Sequence, residues 1–389
     1  MKVAVYLDEV SNVIDNSMQW AIMNKLSESL VGAELEIIDP IKIGKDEAVV
    51  NILKQEYDLL LTYNKTGTDL TIEHDGQSRK VLSLLKRKHV AWLTEHPLTF
   101  YDQYFNSTCD RHYIFPSENH SFFAGAMGLV GTYSVQMFGA KKIAKIPKYE
   151  NREYDVCIAA QWRGSEDANA FWLRSKGKTR EFFEDIVYLQ DTLESRDTFR
   201  AFIAAAKHHG VPEEQIVNSA SAMRAMYWYA RKKERINLVR DFANSGLKVA
   251  LIGGQAWKSV LEQHENIHFI EPVHHDDLQN WYLNSKSVVT MNNFNGANER
   301  VFDAMAAGAL LFSENAPPLV EMLGSSKALF YEPNKAGERI EELCQALQGA
   351  RAEHMAEAAH HTFEHAHTWQ HRGAYPTALV SDLVANIKV

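Results

Sequence analysis

Asn295, Gly296, Asn298, Glu299, Arg300 and Asp303 crowd into one short stretch of the chain. The stretch follows an apolar run, Val288–Met291, and leads through a helical pattern, Glu299–Ala306, to Gly308 and a second apolar run, Leu310–Phe312. Asn295 and Asn298 both have the side chain of a helix N-cap. Gly296 lets a ligand come close to the backbone. The N–H groups at the helix start would face a diphosphate, which the helix dipole favours there. Val301, Phe302, Met305 and Ala306 form an apolar face, and Glu299 and Asp303 lie four apart on another. Two like charges at that spacing cost roughly a few tenths of a kcal/mol. A hydroxyl-rich ligand or Arg300 would give them a use; simple solvation is the plainer account.

Other residues suit the same chemistry. His96 sits after an apolar strand pattern, at its carboxyl end, and neutral imidazole can accept a proton near pH 7. Glu95 is the neighbouring alternative base, and a His satisfied in the turn before Pro97 is the bland alternative. Arg231 and Arg235 stand one helical turn apart and could clamp a diphosphate through paired N–H donors, or form a solvated basic face. Arg163 follows the first strand of a later βα series and carries equal weight. Gly253-Gly254 ends a strand, where Gly254 would admit a nucleotide or make a turn. His361/His365 and His367/His371 have the i, i+4 spacing of metal ligands, and His274-His275-Asp276-Asp277 resembles a metal cluster. No His-Glu-x-x-His accompanies the histidine pairs, and Asp276 or Asp277 serves more simply as a helix cap. No metal site is expected. Gly-x-Ser-x-Gly, P-loop and Gly-x-Gly-x-x-Gly motifs do not occur, which leaves acyl hydrolysis, NTP hydrolysis and NAD chemistry unsupported.

The elements that must position these groups read as an α/β chain. Lys2–Leu7, Glu34–Ile38, Leu59–Tyr63, Val90–Thr94 and Tyr113–Phe115 are strand-like, and Met18–Leu30, Glu47–Gln55, Arg79–Lys88 and Phe122–Met127 helical. Apolar strands alternating with helices imply parallel sheets covered on both faces. A basic, aperiodic stretch at 141–153 reads as a linker. The alternation then restarts with Asp155–Ala160, Lys248–Ile252, Ile267–Ile270, Val288–Met291 and Leu310–Phe312, around a long helical region from Thr179 to Arg240. The expectation is a Rossmann-like domain at 1–140, a second at 154–366, and a closing helix at 367–389. The two doubly wound domains would face each other across a cleft, with ligands outside the carboxyl ends of the strands.

The 389 residues are 46% hydrophobic and 23% charged, which suits two folded domains rather than disorder. A net charge of −9 does not attract phosphate backbones, so no nucleic-acid partner is expected. The short basic runs Lys86–Lys88 and Arg231–Lys233 both fall on expected helices. Cys109, Cys157 and Cys344 are too scattered for a metal or disulfide framework, which fits a reduced, cytoplasmic chain. No apolar run approaches the roughly 20 residues that span a bilayer, so membrane contact would be peripheral at most.

The run from Asn298 to Ala309 resembles the donor-binding motif of GT-B glycosyltransferases in the broad "glycosyl transferases group 1" superfamily, and is most similar to the CgeB-like (spore maturation) group. Arg231–Leu238 with Gly246–Gly254, His274–Leu283 after Ile267–Pro272, and the closing His367-Thr368-Trp369-Gln370-His371-Arg372 fit the same group. The resemblance covers about 200 C-terminal residues. It implies transfer of a sugar from a nucleotide sugar to a hydroxyl of a cell-surface glycan or protein in a bacterium. It also implies that Asp303 binds the ribose, that the backbone near Val273 reads the base, and that His96 or Glu95 touches the sugar or activates the acceptor. Related retaining enzymes often carry Glu-x7-Glu, where this chain has Asn295 and Asp303, so the sugar-orienting carboxylate is replaced by an amide. Asp-x-Asp, the metal signature of GT-A enzymes, does not occur, and no cofactor or metal is expected. A nucleotide-sugar epimerase of the same architecture, or a non-catalytic relative binding a glycan or partner, are the alternatives.

Overall fold

A computed structural model describes residues 2–7, 34–64, 67–74, 76–86, 88–104, 111–162, 171–192, 197–212, 215–216, 219–261, 264–291, 296–332 and 335–372. The chain forms two compact units. Residues 1–141, 274–276 and 366–389 make the first, and 142–273 and 277–365 the second. Among the described residues no helix is long and apolar enough to cross a membrane.

The first unit is built on β1 (Lys2–Tyr6), β2 (Glu34–Ile38), β3 (Leu59–Tyr63), the hairpin β4–β5 (Thr71–His74, Gln77–Lys80), β6 (Lys88–Trp92), β7 (Arg111–Phe115) and β8 (Thr132–Val135). Six of these form one sheet, parallel throughout, in the order β2-β1-β3-β6-β7-β8. Leu59-Leu60-Leu61-Thr62-Tyr63 is buried along its whole length, as a strand covered on both faces must be. The helix expected at Met18–Leu30 lies outside the described residues. The helix expected at Arg79–Lys88 is not formed. That stretch holds β5, a 3-10 turn at Val81–Leu84 and the start of β6. Gly76, at φ +71°, closes the hairpin, and all of β5 is exposed. Lys86 and Lys88 are accordingly not helical, whereas Arg231–Lys233 are.

Polar residues pin this sheet from within. Arg111 is buried between β6 and β7, and its Nε donates to Nδ1 of His89 at 2.7 Å. That places the imidazole proton on Nε2, which donates to Oγ1 of Thr62 on β3 at 2.8 Å. The guanidinium lies 5.0 Å from the ring centre of Tyr104 and 5.8 Å from that of Tyr113. Burial, with the Arg111 charge beside it, holds His89 well below the ordinary imidazole range. Nδ1 and Nε2 of His112 meet the hydroxyls of Thr132 and Ser134, each at 2.8 Å, and so hold the edge strand β8. Burial pushes His112 down to about 4. Residues 366–372 join this unit through backbone and side chain: Trp369 N–H donates to Ala140 O at 3.0 Å, and Arg372 Nε to Phe138 O at 2.8 Å. His367, buried beside Arg372, is also lowered to about 4.

The second unit carries β9 (Tyr154–Ala159), β10 (Val249–Ile252), β11 (Ile267–Ile270), β12 (Ser285–Thr290), β13 (Leu310–Glu314) and β14 (Ala328–Tyr331). They form a parallel sheet in the order β11-β10-β9-β12-β13-β14. The region from Thr179 to Arg240 separates into helices Lys178–Thr192, Thr198–His208 and Ala220–Ala243. Asp197 caps the second of these by accepting from Phe199 N and Arg200 N. On the last, Ile236, Val239 and Phe242 pack onto Val156, Ile158, Leu310 and Phe312 of the sheet. Residues 142–153 belong to this unit. Arg152 is buried, with Nη1 on Ser285 O (2.8 Å) and Nη2 on Ala307 O (2.9 Å), and Tyr149 donates to Lys286 O at 2.7 Å.

His89, His112 and His367 of the first unit set a pH dependence. Their folded pKa values lie below the unfolded value near 6.5, so the unfolded chain takes up protons first as pH falls. Stability drops below pH ~6.5, by at most ~1.4 kcal/mol per pH unit for each histidine. Urea unfolding at pH 7, 6 and 5 should show this loss, with a shallower slope for His112→Gln than for wild type; equal slopes would remove His112 from the account.

Candidate functional site

The strand order of the second unit reverses between β9 and β12, since β10 and β11 lie on one side and β13 and β14 on the other. Crevices at the carboxyl ends of strands beside such a reversal take ligands. The carboxyl end of β9 is held tightly. Ala160 O receives the indole N–H of Trp257 at 2.6 Å, and a Cβ on Gly253 would sit 1.8 Å from that oxygen. Gly253 is therefore required by packing within the chain. Gly254, at φ +92°, turns the backbone into the 3-10 segment Gln255–Ser259, and a Cβ there would lie 3.2 Å from the Glu271 carboxylate. Val273, half-buried, follows β11 two residues beyond Glu271.

At the carboxyl end of β12 the helix Glu299–Ala306 begins. Asn298 is its N-cap: Oδ1 accepts from Val301 N at 3.3 Å, and Nδ2 donates to Met291 O at 2.9 Å. One side chain thus joins the last turn of backbone after β12 to the helix start. The other end closes as a Schellman motif, with Gly308 N on Met305 O (3.1 Å), Ala309 N on Ala304 O (3.1 Å) and Gly308 at φ +60°. Gly296 is buried ahead of the cap. Asn295 and Arg163 lie outside the described residues.

Of the charged residues on this helix, Asp303 is 3% exposed and Glu299 half-buried. Arg300 is half-buried, and its charge opposes the upward shifts of Tyr282 and Cys157. Burial raises the Tyr282 phenol well above its ordinary range, opposed by Arg300 and aided by Cys157, Asp303 and Glu299. The Tyr282 hydroxyl is fully buried and makes no hydrogen bond among the described residues. Burial likewise pushes the Cys157 thiol far up, so it is no nucleophile.

The two helix arginines separate in role. Arg235 donates from Nη1 to Gln161 O at 2.7 Å, which fixes the backbone just after β9. Arg231 donates to the Tyr227 hydroxyl at 2.8 Å and lies 5.5 Å from the ring centre of Tyr227 and 5.7 Å from that of Trp228. Sequence reasoning missed the neighbouring hollow, lined by Glu234, Leu238, Asp241, Met291, Glu314, Tyr331 and Ala336. Burial raises the Asp241 carboxyl, while the N–H of Gly337 at 3.1 Å works the other way. Glu314 is buried, and Tyr331 donates to Thr290 O at 2.9 Å. The available signal was Glu234 and Asp241 at i and i+7 on one helix, with Glu314 ending a strand.

In the first unit Thr94 N donates to Asn64 Oδ1 at 2.8 Å, which fixes the turn that follows β6. Glu95 is exposed there. His96 is 4% exposed and caps the 3-10 turn Pro97–Phe100, its Nδ1 accepting from Leu98 N at 3.2 Å. Its ring meets His120 edge-on at 4.9 Å and Phe123 at 4.7 Å. Asp276 and Asp277 are not caps: the helix begins at His275, and both lie in its first turn, where the dipole favours acids. His361 and His365 stack at 4.0 Å. His371 Nδ1 is taken by Thr368 (Oγ1 at 2.7 Å), and His367 Nδ1 by Arg372.

Two Rossmann-like units with parallel sheets are the fold of the GT-B glycosyltransferases. Residues 231–376 match the family model described as "Glycosyl transferase-like". No curated protein matches the chain. Sucrose-phosphate synthase from Thermosynechococcus elongatus is similar at 10% identity and a TM-score of 0.59, over 99% of this chain and 100% of that one. T4 phage BGT in complex with its UDP-glucose substrate gives 10% and 0.52, over 99% of each. Anabaena HepE in complex with UDP-glucose gives 10% and 0.51, over 100% of this chain and 99% of that one.

The Asn298 bridge carries a measurable weight. Asn298→Ala should lower stability by about 1–2 kcal/mol, and Asn298→Asp, which keeps the cap but loses the amide donor to Met291, by about half as much. Equal unfolding midpoints for the three chains in urea would contradict the bridge.

Proposed function

We propose that this chain is a glycosyltransferase that moves a sugar from a nucleotide sugar to a hydroxyl acceptor. The observation that carries the reading is the Asn298-capped helix at the strand-order reversal of the second unit, within the segment that matches the glycosyltransferase-like family. The N–H groups of Glu299 and Arg300, at the start of this helix, are suited to a diphosphate. Hydroxyls of the ribose or sugar suit the carboxylates of Asp303, Glu299 and the hollow at Glu234, Asp241 and Glu314, because carboxylates accept and phosphates do not donate. Positive charge from Arg231, Arg235 and Arg300, with the helix start, stabilises the leaving diphosphate without a metal. The UDP-glucose bound by two of the similar structures makes UDP-glucose the first donor to test. A surface glycan or protein as acceptor, a CgeB-like affiliation and a cytoplasmic, bacterial setting complete the proposal.

The cap on Leu98 bears on the catalytic pair. With Nδ1 accepting, neutral His96 carries its proton on Nε2, which makes that nitrogen a donor rather than a lone pair. Exposed Glu95 is the better proton acceptor. His96 then positions a sugar or acceptor hydroxyl, and Glu95 takes the acceptor proton.

A thermal-shift screen against UDP-, GDP-, dTDP- and CMP-sugars, followed by assay of released nucleoside diphosphate, tests the reading. A changed sugar without release would mean epimerisation, and binding without turnover a non-catalytic role. With the nucleotide identified, Asp303→Asn should weaken its binding about tenfold or more by calorimetry, the loss of one charged hydrogen-bond acceptor; unchanged affinity would sink the assignment of Asp303. Glu95→Gln should cut kcat at least ~100-fold with nucleotide affinity intact. Equal loss of both would make Glu95 a binding residue.

A further inference from the structure

In the second unit, the helix Lys178–Thr192 and the end of the helix Thr198–His208 bring two imidazoles and a carboxylate together. Nε2 of His209 lies 2.8 Å from Oδ2 of Asp185, and Nε2 of His208 lies 4.0 Å from the same oxygen. The three donor atoms all fall within 4.8 Å of one another. We propose that Asp185, His208 and His209 form a binding site for a divalent transition-metal ion of the zinc type.

An ordinary hydrogen bond accounts for His209 but not for His208, whose nitrogen is beyond hydrogen-bonding reach of the carboxylate. A tetrahedral zinc ion with nitrogen and oxygen ligands at about 2.0–2.1 Å holds those ligand atoms about 3.3 Å apart. The two separations from Asp185 bracket that value and the third pair lies within 4.8 Å, so side-chain rotation would bring the three atoms onto one ion. The rings of His208 and His209 stand 5.2 Å apart at 84°, which lets neighbouring residues aim at one point. Phe182 meets the His209 ring edge-on at 5.5 Å and is itself braced by Phe202 at 5.3 Å, so that ligand is oriented before any ion arrives. The site also lies at a helix C-terminus, whose negative end adds to the pull of the carboxylate on a cation. Two imidazoles with one carboxylate favour zinc, nickel or copper over magnesium and calcium. His208 is 77% exposed and Asp185 42%, so water would complete the coordination.

A bound ion would tie the first helix to the end of the second and close the chain between Asp185 and His208, which stabilises the folded form by binding it alone. The role is structural and independent of the proposed sugar transfer. The test is calorimetric titration of the metal-stripped full chain with zinc chloride, beside thermal unfolding, for wild type, His208→Gln and Asp185→Asn. Wild type should bind one zinc that each variant loses or holds at least about tenfold more weakly, and only wild type should gain melting temperature from that ion. His208 is exposed, so its variant keeps the fold, which circular dichroism checks; Asp185→Asn gives the second, independent reading. Equal zinc binding in all three chains, or none in wild type, would overturn the proposal.

Discussion

The proposed donor site in the second unit depends on one amide side chain. Asn298 spans from the carbonyl of Met291 to the N–H of Val301, and so fixes where the helix starts relative to the strand that precedes it. With the cap in place, the first N–H groups of the helix emerge at the carboxyl end of β12. The opposite end is held with equal care. Arg152 donates to Ala307 O just past the helix and to Ser285 O at the start of β12, while the Schellman turn at Gly308 returns the chain into β13. Strand, helix and strand are thereby locked in one geometry by hydrogen bonds whose partners are mostly backbone. That matters for chemistry because preorganised donors stabilise developing charge without reorganising.

The two units use the same device in different settings. Parallel strands cannot be tied by tight hairpins, so long polar side chains reach between them. Arg111 in the first unit and Arg152 in the second are both buried, and both spend their donors on groups of neighbouring strands or their ends. In the first unit the partner is a neutral imidazole, and that choice makes the unit sensitive to acid. In the second the partners are carbonyls, which do not titrate.

The parallel strands were legible because burial on both faces leaves near-continuous Val, Ile and Leu runs, as in Leu59–Tyr63 and Leu310–Phe312. The helix Glu299–Ala306 was legible at both ends, because Asn298 and Gly308 are local stop signals. The hairpin at Thr71–Lys80 was not, since its second strand is wholly exposed and carries no alternation. β8 and β14 escaped for a related reason: each is a four-residue edge strand whose pairing is decided by its neighbour. At the site, the influence of the Arg300 charge on Tyr282 and Cys157 was not legible, because it joins residues far apart in sequence. The hollow between Glu234, Asp241 and Glu314 joins residues some eighty positions apart, which only tertiary packing can show.

Hydrogen–deuterium exchange across residues 296–303, with and without UDP, GDP, dTDP and CMP, tests the central claim most directly. Slowed exchange at Glu299 and Arg300 with at least one nucleotide is the predicted result, because those amides would become hydrogen-bonded to phosphate. Protection elsewhere in the chain with none in this segment would contradict the account.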